Sequence, residues 1–426
     1  MKTLFSNAAM LPDLNKNFFV TVEDKYITEI SESRPDGNFD NEINCRGNLL
    51  VSGMYNTHCH AAMTLFRGYG EDLPLDRWLN ERIFPAEDRL TQESVLLGSM
   101  MGIAEMIRNG IVSFSDMYFF CDATADAVLG TGIKANISRS IVSFDENADL
   151  KSDSRIKEAN EFFKSYHGAA DGRVRVDYSL HAEYTNTAKC AAYVSELAAI
   201  NDTALQIHLS ETKSEHEECI ARHGMTPTEF FLRAGAFSVP VTAAHCVHLC
   251  ESDMDILSSH GATAVHNPIS NLKLGSGVMP LKTLREHGVN VALGTDGAAS
   301  NNQLDILSEL RFASVLHKGV GYDPCATTAR DMWELATSNG AKAQCRPDCG
   351  KAEVGYRADL VLIDLDAPNN QPIYDLYNTL AYSANSSNVL LTMVDGKILY
   401  ENGEYKTIDI EGLKYEFARL CAHYFD

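Results

Sequence analysis

The chain has 426 residues, with 36 lysines and arginines against 58 aspartates and glutamates, which gives a formal net charge of −22. Hydrophobic residues make up 45% and charged residues 22%, a globular composition that excludes a disordered chain. A surface this acidic repels the phosphates of nucleic acids and of anionic membranes. The charge therefore favours small neutral or zwitterionic substrates.

The apolar residues are too dispersed to predict a membrane segment or a signal peptide. No run approaches about 18 consecutive apolar residues, and the stretch from Met1 to Pro12 is interrupted by Ser6 and Asn7. The 11 cysteines are odd in number and scattered, which is typical of free thiols in a reducing compartment. The sequence therefore predicts a cytoplasmic protein.

The two ends of the chain differ from its middle. Residues from Phe18 to Ile30 alternate between apolar and polar in the manner of strands, and Val389–Val394 is a short β-rich run. Asp395-Gly396, which follows it, is a favoured hairpin turn. We therefore expect a small β-sandwich domain built from both termini, residues 1–52 and 350–426.

Between the ends, apolar strand-like runs alternate with helical patterns. This alternation is typical of an α/β protein with a parallel sheet, and eight such units predict a closed (β/α)8 TIM-like barrel over residues 53–349. An open, doubly wound parallel sheet is the alternative. The segment Gly53–His58 lacks the G-x-G-x-x-G pattern, which is the main sequence evidence for a dinucleotide cofactor. The predicted strands are Leu49–Met54, Ile111–Asp116, Lys134–Ile141, Val174–Leu180, Ala204–Leu209, Val241–Ala244, Ala262–Val265 and Val289–Leu293.

Residues with metal-binding side chains stand at or just after the ends of four predicted strands. Active sites of TIM-like barrels lie at this end of the sheet, and imidazole nitrogens and carboxylate oxygens are ligands of Zn²⁺ and Fe²⁺. The fourth strand ends in Asp177–His181 without the lysine that a two-metal site would use. The pattern therefore predicts one divalent metal ion per chain, Zn²⁺ or Fe²⁺. The residues concerned are His58 and His60 after the first strand, His208 with Glu211 at the fifth, His245 at the sixth and Asp296 at the eighth.

Several longer motifs contain these residues, and through them the sequence resembles a known family. The resemblance is to the amidohydrolase superfamily, within it to the 5-methylthioadenosine/S-adenosylhomocysteine deaminases and related aminohydrolases and chlorohydrolases, and it covers nearly the whole chain. The motifs are Asn56-Thr-His-Cys-His60, Leu73-Pro-Leu-Asp-Arg-Trp-Leu79, His208-Leu-Ser-Glu-Thr212, Ala244-His-Cys246, His266-Asn-Pro268 with Ser270-Asn-Leu-Lys273, and Gly294-Thr-Asp-Gly-Ala-Ala-Ser-Asn-Asn302.

The resemblance implies a role for each residue of the predicted metal site. Glu211 resembles the acid/base residue, and His245 resembles the residue that hydrogen-bonds the metal-activated hydroxide. Deamination of a purine at C6 needs hydroxide at the carbon, one proton at N1 and another at the departing ammonia. Glu211 can carry the first proton and Asp296 the second, so both also contact the substrate. The implied metal ligands are His58, His60, His208 and Asp296.

The resemblance also implies four further substrate contacts. Glu87 matches the position that holds the ribose hydroxyls, although an ordinary exposed helix glutamate is the alternative. His181 resembles a residue near the sugar or purine, or is a packed histidine. Arg139 and Arg155 resemble residues that face the 5′ substituent, and Arg155 is equally consistent with a surface charge.

The reaction that the resemblance implies is deamination of a 5′-modified adenosine to the inosine analogue and ammonia. Methylthioadenosine, S-adenosylhomocysteine, 5′-deoxyadenosine and adenosine all remain candidate substrates. Guanine or another heterocycle is an alternative within the superfamily, as is chlorotriazine hydrolysis. A non-catalytic scaffold is a remote alternative, since scaffolds of this kind usually lose metal ligands. The chain is also a candidate homo-oligomer.

Overall fold

The computed structural model describes residues 1–424 and contains two nine-stranded sheets. Among the described residues no helix is both long enough and apolar enough to cross a bilayer. The strands are β1 (Lys2–Met10), β2 (Asp13–Glu23), β3 (Tyr26–Ser31), β4 (Asn41–Asn44), β5 (Leu49–Ser52), β6 (Met54–His60), β7 (Ile111–Tyr118), β8 (Lys134–Ile141), β9 (Val174–Leu180), β10 (Leu205–Leu209), β11 (Val241–His245), β12 (Thr263–His266), β13 (Asn290–Leu293), β14 (Asp296–Gly297), β15 (Leu360–Ile363), β16 (Val389–Val394), β17 (Lys397–Glu401) and β18 (Glu404–Tyr405).

Helices follow most strands of the central part and also cover the C-terminal end of the described chain. The helices are α1 (Leu75–Trp78), α2 (Phe84–Glu87), α3 (Gln92–Arg108), α4 (Cys121–Thr131), α5 (Ser154–Tyr166), α6 (Ala169–Gly172), α7 (Ala188–Ile200), α8 (Lys213–His223), α9 (Pro227–Arg233), α10 (Glu251–Ser259), α11 (Pro268–Lys273), α12 (Leu281–Glu286), α13 (Ala298–Asn301), α14 (Ile306–Gly321), α15 (Ala329–Ala336), α16 (Ser338–Ala343), α17 (Leu376–Asn378) and α18 (Ile410–Tyr424).

The first sheet combines strands from both ends of the chain. Its order is β18-β17-β16-β15-β5-β1-β2-β3, with β4 paired to β1, so the N-terminal β5 lies beside the C-terminal β15. The hairpin between β16 and β17 turns at Asp395 and Gly396, both of which have positive φ. A two-residue turn of this kind fits the twist of the flanking strands. The predicted association of the two termini in one β unit is therefore found in the structure.

The second sheet consists of parallel strands and carries the predicted site residues. Its order is β13-β12-β11-β10-β9-β8-β7-β6-β14, and the two-residue strand β14 pairs with β6 through Asp296 and Cys59. The strands are almost entirely buried, as expected for parallel strands covered by helices. This sheet fits a TIM-like barrel. The second to eighth predicted strands all occur, with bounds that differ by at most two residues.

The first predicted strand, Leu49–Met54, was wrong because the chain changes sheets inside it. Leu49–Ser52 pairs with β15 in the first sheet, whereas Met54–His60 is the first strand of the parallel sheet. Gly53 lies at the crossing, where a Cβ atom would stand 2.1 Å from Cγ1 of Val112. Only glycine fits so close an approach. His58 and His60 therefore lie within the first parallel strand instead of following it.

A buried group of charges connects the parallel sheet to the first sheet. Lys134, at the start of β8, is 1% exposed and its ammonium lies 2.7 Å from Asp395 Oδ1. It also donates to both carboxylate oxygens of Asp359, which is equally buried. A buried charge is tolerated only when it is paired, so Lys134 and the two aspartates depend on one another.

We expect Lys134→Met to lower the free energy of unfolding by about 3–5 kcal/mol, because it leaves the buried Asp359 carboxylate without its cation, whereas Asp395 keeps Arg357 at 3.1 Å. Urea denaturation followed by circular dichroism measures this change. Lys25→Met is the matched control, since Lys25 pairs with Asp171 at the surface, and it should leave the denaturation midpoint nearly unchanged. Similar small changes in both variants would contradict the prediction.

Candidate active site

Four histidines and one aspartate converge at the carboxyl end of the parallel sheet. The ring centroid of His58 lies 4.9 Å from that of His60, 4.9 Å from that of His208 and 5.5 Å from that of His245. Asp296 Oδ1 lies 3.2 Å from His60 Nε2 and 3.4 Å from His58 Nε2. Each of the five residues is at most 9% exposed. The structure thus brings together residues that are far apart in the sequence.

The backbone has unusual conformations in this cluster and directly beside it. Ser210, His245 and Asp296 have φ values of 47°, 75° and 60°, in the left-handed region that residues other than glycine seldom adopt. Such conformations cost free energy and tend to occur at functional sites, where the surrounding contacts impose them. Here they turn the chain at the ends of β10 and β11 and at β14, where the polar side chains enter the cluster.

Two of the imidazoles have a defined tautomer. His60 Nδ1 lies 2.6 Å from the carbonyl oxygen of Met117, and His208 Nδ1 lies 2.7 Å from that of His181. A carbonyl oxygen can only accept, so Nδ1 carries the proton and the Nε2 lone pair is free to act as a ligand. Among the described residues, the buried His58 Nε2 has no hydrogen-bond partner. Burial lowers the pKa of His58 to about 4 and favours the neutral form.

These donors fit a divalent metal ion. The possible ligand atoms of His58, His60 and Asp296 lie within 4.8 Å of one another, and so do those of His58, His208 and His245. Neutral imidazoles together with one carboxylate are a donor set for Zn²⁺ or Fe²⁺. The sequence analysis predicted four of these residues as ligands and gave His245 a different role.

Glu211 lies beside the cluster and faces His245. Its Oε2 atom is 3.8 Å from His245 Nε2, and its Oε1 atom accepts a 2.8 Å hydrogen bond from the hydroxyl of Ser276. The Glu211 backbone N–H donates to Glu215, a carboxyl whose pKa burial raises to about 7. Glu211 is therefore a nearly buried carboxylate held at both its backbone and its side chain, with one oxygen directed toward His245.

Three polar residues that the sequence analysis did not select support His245 and Asp296. His245 Nδ1 donates to Asn271 Oδ1 at 2.8 Å, and Asp296 Oδ2 accepts hydrogen bonds of 2.7 Å from both Ser270 and Ser300. All three lie in motifs that carried the family resemblance. Their positions in those motifs were the available signal, but serine and asparagine are too common for residue type alone to assign a role.

Two of the predicted substrate contacts lie near the cluster of four histidines and Asp296. The ring centroid of His181 is 4.9 Å from that of His208. Glu87 interacts with Tyr118, whose ring centroid is 5.9 Å from that of His60, and burial raises the pKa of Glu87 to about 7. His181 therefore lies directly beside the cluster, and Glu87 adjoins it through Tyr118.

The two predicted arginines are engaged elsewhere. Arg139 Nε donates to Glu158 Oε2 on α5 at 2.8 Å, and its guanidinium lies 5.0 Å from the ring centroid of Phe119. Arg155 donates to the carbonyl oxygen of Val142 at 2.8 Å, and its side chain is 43% exposed. The structure does not bring either arginine into contact with the histidine cluster, and their role toward a 5′ substituent stays a prediction.

Comparison with known proteins gives full-length relatives. The 5-methylthioadenosine/S-adenosylhomocysteine deaminase of Dictyoglomus thermophilum is 45% identical over 392 residues, which cover 92% of this chain and 91% of that protein. The 5′-deoxyadenosine deaminase of Methanosarcina acetivorans is 41% identical, with 96% and 93% covered. A solved structure of an adenosine deaminase from Xanthomonas campestris with bound zinc superposes with a TM-score of 0.93 at 30% identity and covers 99% of this chain and 98% of that one.

The family model described as "Amidohydrolase family" matches residues 49–399, from β5 through β16 and into β17. The matched segment contains the whole parallel sheet and every residue of the histidine and carboxylate cluster. The resemblance that the sequence motifs indicated is confirmed, and the chain belongs to the amidohydrolase family.

Proposed function

We propose that this chain is a metal-dependent hydrolase of C–N bonds that deaminates 5′-modified adenosines to the inosine analogue and ammonia. The observation that carries the proposal is the cluster of His58, His60, His208 and Asp296 with the carboxylate of Glu211 beside it. The names of the relatives from Dictyoglomus and Methanosarcina support methylthioadenosine, S-adenosylhomocysteine and 5′-deoxyadenosine as the substrates to examine first.

The ligands proposed for the metal ion are His58, His60, His208 and Asp296. A bound divalent ion would lower the pKa of water to about 7 and so supply a nucleophile at neutral pH. Zinc is the preferred candidate because the Xanthomonas adenosine deaminase was solved with zinc, and iron has the same ligand preferences here.

The protein side chains would manage the protons of the reaction. Glu211 accepts one proton from the attacking water through its free carboxylate oxygen and delivers it to purine N1. Asp296 accepts the second proton and passes it to the amine at C6, which leaves as ammonia. His245, whose Nε2 lies 3.8 Å from Glu211, stabilises the negative charge on the oxygen that adds to C6. Both protons of the water are thereby accounted for.

The presence of Glu211 favours deamination over displacement of chloride. Chloride leaves as a stable anion, whereas the amine must be protonated before it can leave. An acid next to the metal ligands is therefore a requirement of deamination, and in this chain such an acid is buried and hydrogen-bonded at that position.

A substrate panel tests the proposed function. The zinc-loaded protein is assayed for ammonia release and for loss of adenine absorbance with methylthioadenosine, S-adenosylhomocysteine, 5′-deoxyadenosine, adenosine, guanine and a chlorotriazine. Turnover of one or more of the adenosines is expected, and the rates rank the 5′ groups. If only guanine or the triazine reacts, the metal site stands and the assignment of an adenosine substrate is wrong.

Glu87 is proposed to accept hydrogen bonds from the 2′ and 3′ hydroxyls of ribose. Since burial raises its pKa to about 7, the carboxyl is protonated below that pH and becomes a better acceptor above it. We expect kcat/KM for ribonucleosides to rise with pH through about 7, and Glu87→Gln to remove this rise and to increase KM about 10-fold or more. Glu93→Gln, an exposed change on α3, is the control. An unchanged pH profile in Glu87→Gln would contradict the role.

Arg139 and Arg155 are proposed to serve substrates with a charged 5′ substituent. An arginine suits the carboxylate of homocysteine through paired hydrogen bonds. We expect Arg139→Ala to weaken turnover of S-adenosylhomocysteine more than that of methylthioadenosine, measured as kcat/KM for each. Arg139 also pairs with Glu158, so Glu158→Gln tests whether losing that pair alone has the same effect. Equal losses on both substrates would count against the role.

The closed barrel, the β-sandwich and the cellular compartment are proposals as well. We propose that residues 53–349 form a closed (β/α)8 barrel and that residues 1–52 and 350–426 form a β-sandwich. Pairing of β14 with β6 supports the barrel, and a separate apolar cluster that includes Phe5, Val20 and Leu362 supports the sandwich. The free thiols of all eleven cysteines support a reducing cytoplasm. Assembly into a homo-oligomer stays a prediction.

A further inference from the structure

One short segment of the chain contacts all three groups that are proposed to move or stabilise charge. The segment runs from residue 270 to residue 276, covers the last four residues of α11 and the turn after it, and is called the 270–276 segment below. Each contact joins a neutral hydroxyl or amide to one atom of an ionisable side chain. The contacts are Ser270 Oγ to Asp296 Oδ2 at 2.7 Å, Asn271 Oδ1 to His245 Nδ1 at 2.8 Å and Ser276 Oγ to Glu211 Oε1 at 2.8 Å.

The 270–276 segment is itself held firmly. The backbone N–H of Ser276 donates to the carbonyl oxygen of Asn271 at 2.7 Å, and the Ser276 carbonyl oxygen lies 2.8 Å from Nε2 of His248. Upstream, the backbone N–H of Ile269 donates to the buried Glu309 at 3.2 Å. Ser276 is 6% exposed and Asn271 is fully buried. The three side chains therefore sit on a backbone that is fixed independently of any bound molecule.

The contact at Glu211 determines which of its oxygens remains available. A carboxylate offers two equivalent oxygens, and a hydroxyl that donates to one of them holds the group in one rotamer. The Ser276 hydroxyl occupies Oε1, which leaves Oε2 on the side of His245 Nε2. Oε2 is then the oxygen in position to take a proton from water and to deliver it to the substrate.

The contact between Asn271 and His245 orients the imidazole ring in a similar way. The amide oxygen of Asn271 accepts from Nδ1 at 2.8 Å, while the amide nitrogen of Asn267 is farther away at 3.4 Å. The shorter contact makes Nδ1 the donor to Asn271 and directs Nε2 at Glu211. The segment thus fixes the orientation of both members of the Glu211–His245 pair.

We propose that the 270–276 segment is a positioning element for proton transfer, in which Ser276 selects Oε2 of Glu211 as the atom that carries the proton. The inference rests on the proposed function, since it takes Glu211 as the acid/base residue. Ser276 is a positioning residue and not a catalytic one, because it acts through Glu211 and does not touch the reacting atoms.

The test compares Ser276→Ala and Ser276→Thr with the wild-type protein on its preferred adenosine. Loss of an orienting partner typically costs about 10- to 100-fold, and we expect this loss in kcat for Ser276→Ala with little change in KM. Ser276→Thr keeps the hydroxyl and should recover most of kcat. Ser195→Ala, which removes a buried hydroxyl bonded within α7, should behave as wild type. The solvent deuterium isotope effect on kcat should rise only in Ser276→Ala, because proton transfer becomes slower.

Crystal structures of the wild type and of Ser276→Ala provide a readout that does not depend on turnover. The Glu211 carboxylate is expected in one rotamer in the wild type and in several in the variant. A single unchanged rotamer together with wild-type kcat in Ser276→Ala would overturn the inference, and so would a threonine variant as slow as the alanine variant. If the wild type deaminates no adenosine, the proposed function fails, and the rotamer comparison still decides whether Ser276 positions Glu211.

Discussion

Replacement of Glu211 by glutamine is expected to lower kcat/KM for the preferred adenosine by about 10²- to 10⁴-fold. The amide keeps the size of the side chain and can still contact Ser276, but it cannot accept a proton from water or release one to purine N1. Steady-state kinetics with measured metal content provide the test. The metal content should equal that of the wild type, because Glu211 is not among the proposed ligands.

Glu217→Gln is the matched control for Glu211→Gln. Glu217 lies on α8, six residues along the chain, and its exposed carboxylate pairs with Lys213 at 3.5 Å. The control should keep wild-type kinetics, because an exposed pair of this kind contributes little. Wild-type turnover in Glu211→Gln, with metal bound, would remove Glu211 from the mechanism and would reopen the chlorohydrolase alternative.

Removal of the metal ion is expected to abolish deamination altogether, and addition of one equivalent of Zn²⁺ or Fe²⁺ should restore it. The loss of activity should exceed the loss caused by replacing a residue that only hydrogen-bonds a metal ligand, which is typically about 10- to 100-fold. The reason is that the ion supplies the nucleophile. Elemental analysis and activity are measured on the same samples before chelation, after chelation and after reconstitution. The metal that restores the higher rate distinguishes zinc from iron.

Variants of the proposed ligands give the same result without chelation. His58→Ala and Asp296→Asn should each bind less than one equivalent of metal and lose activity, and the thermal midpoint should fall because the ion binds only the folded state. His260→Ala is the control, because His260 is exposed at the end of α10, where its ring contacts Ser259, Ile256 and Phe237. Full activity in the metal-free protein would overturn the proposed chemistry.

The parts of the fold that local pattern determines were predictable from the sequence. Lys134–Ile141 and Val174–Leu180 were predicted with the observed bounds because their apolar residues fall at alternate positions, a spacing that is visible in the local sequence. The run Leu49–Met54 was assigned to one strand because its break at Gly53 depends on contact with Val112, about sixty residues away. A contact of that kind leaves no trace in the local pattern.

The residues of the candidate site likewise include some that could be predicted from local sequence spacing and some that could not. His58 and His60 were found because alternate residues of a strand share a face, and that spacing is visible in one dimension. The same alternation puts Arg139 on the face of β8 opposite to Asn136, which hydrogen-bonds Asp177 in the neighbouring strand. The contact of Arg139 with α5 follows from that register. Ser276 could not be selected from the sequence, because its role depends on which of many serines folds against Glu211.

The pairing of β5 with β15 affects how the protein is made. Strands β1 to β5 leave the ribosome long before the neighbour of Leu49–Ser52, which begins only at Leu360. During synthesis of the intervening chain, the edge of β5 stays open, and open strand edges are prone to pair with other chains. Pairing over so long a separation is also slow. A nascent or truncated chain that stops before Leu360 therefore presents an unfinished edge, and escape from aggregation during synthesis depends on how quickly the chain reaches that strand.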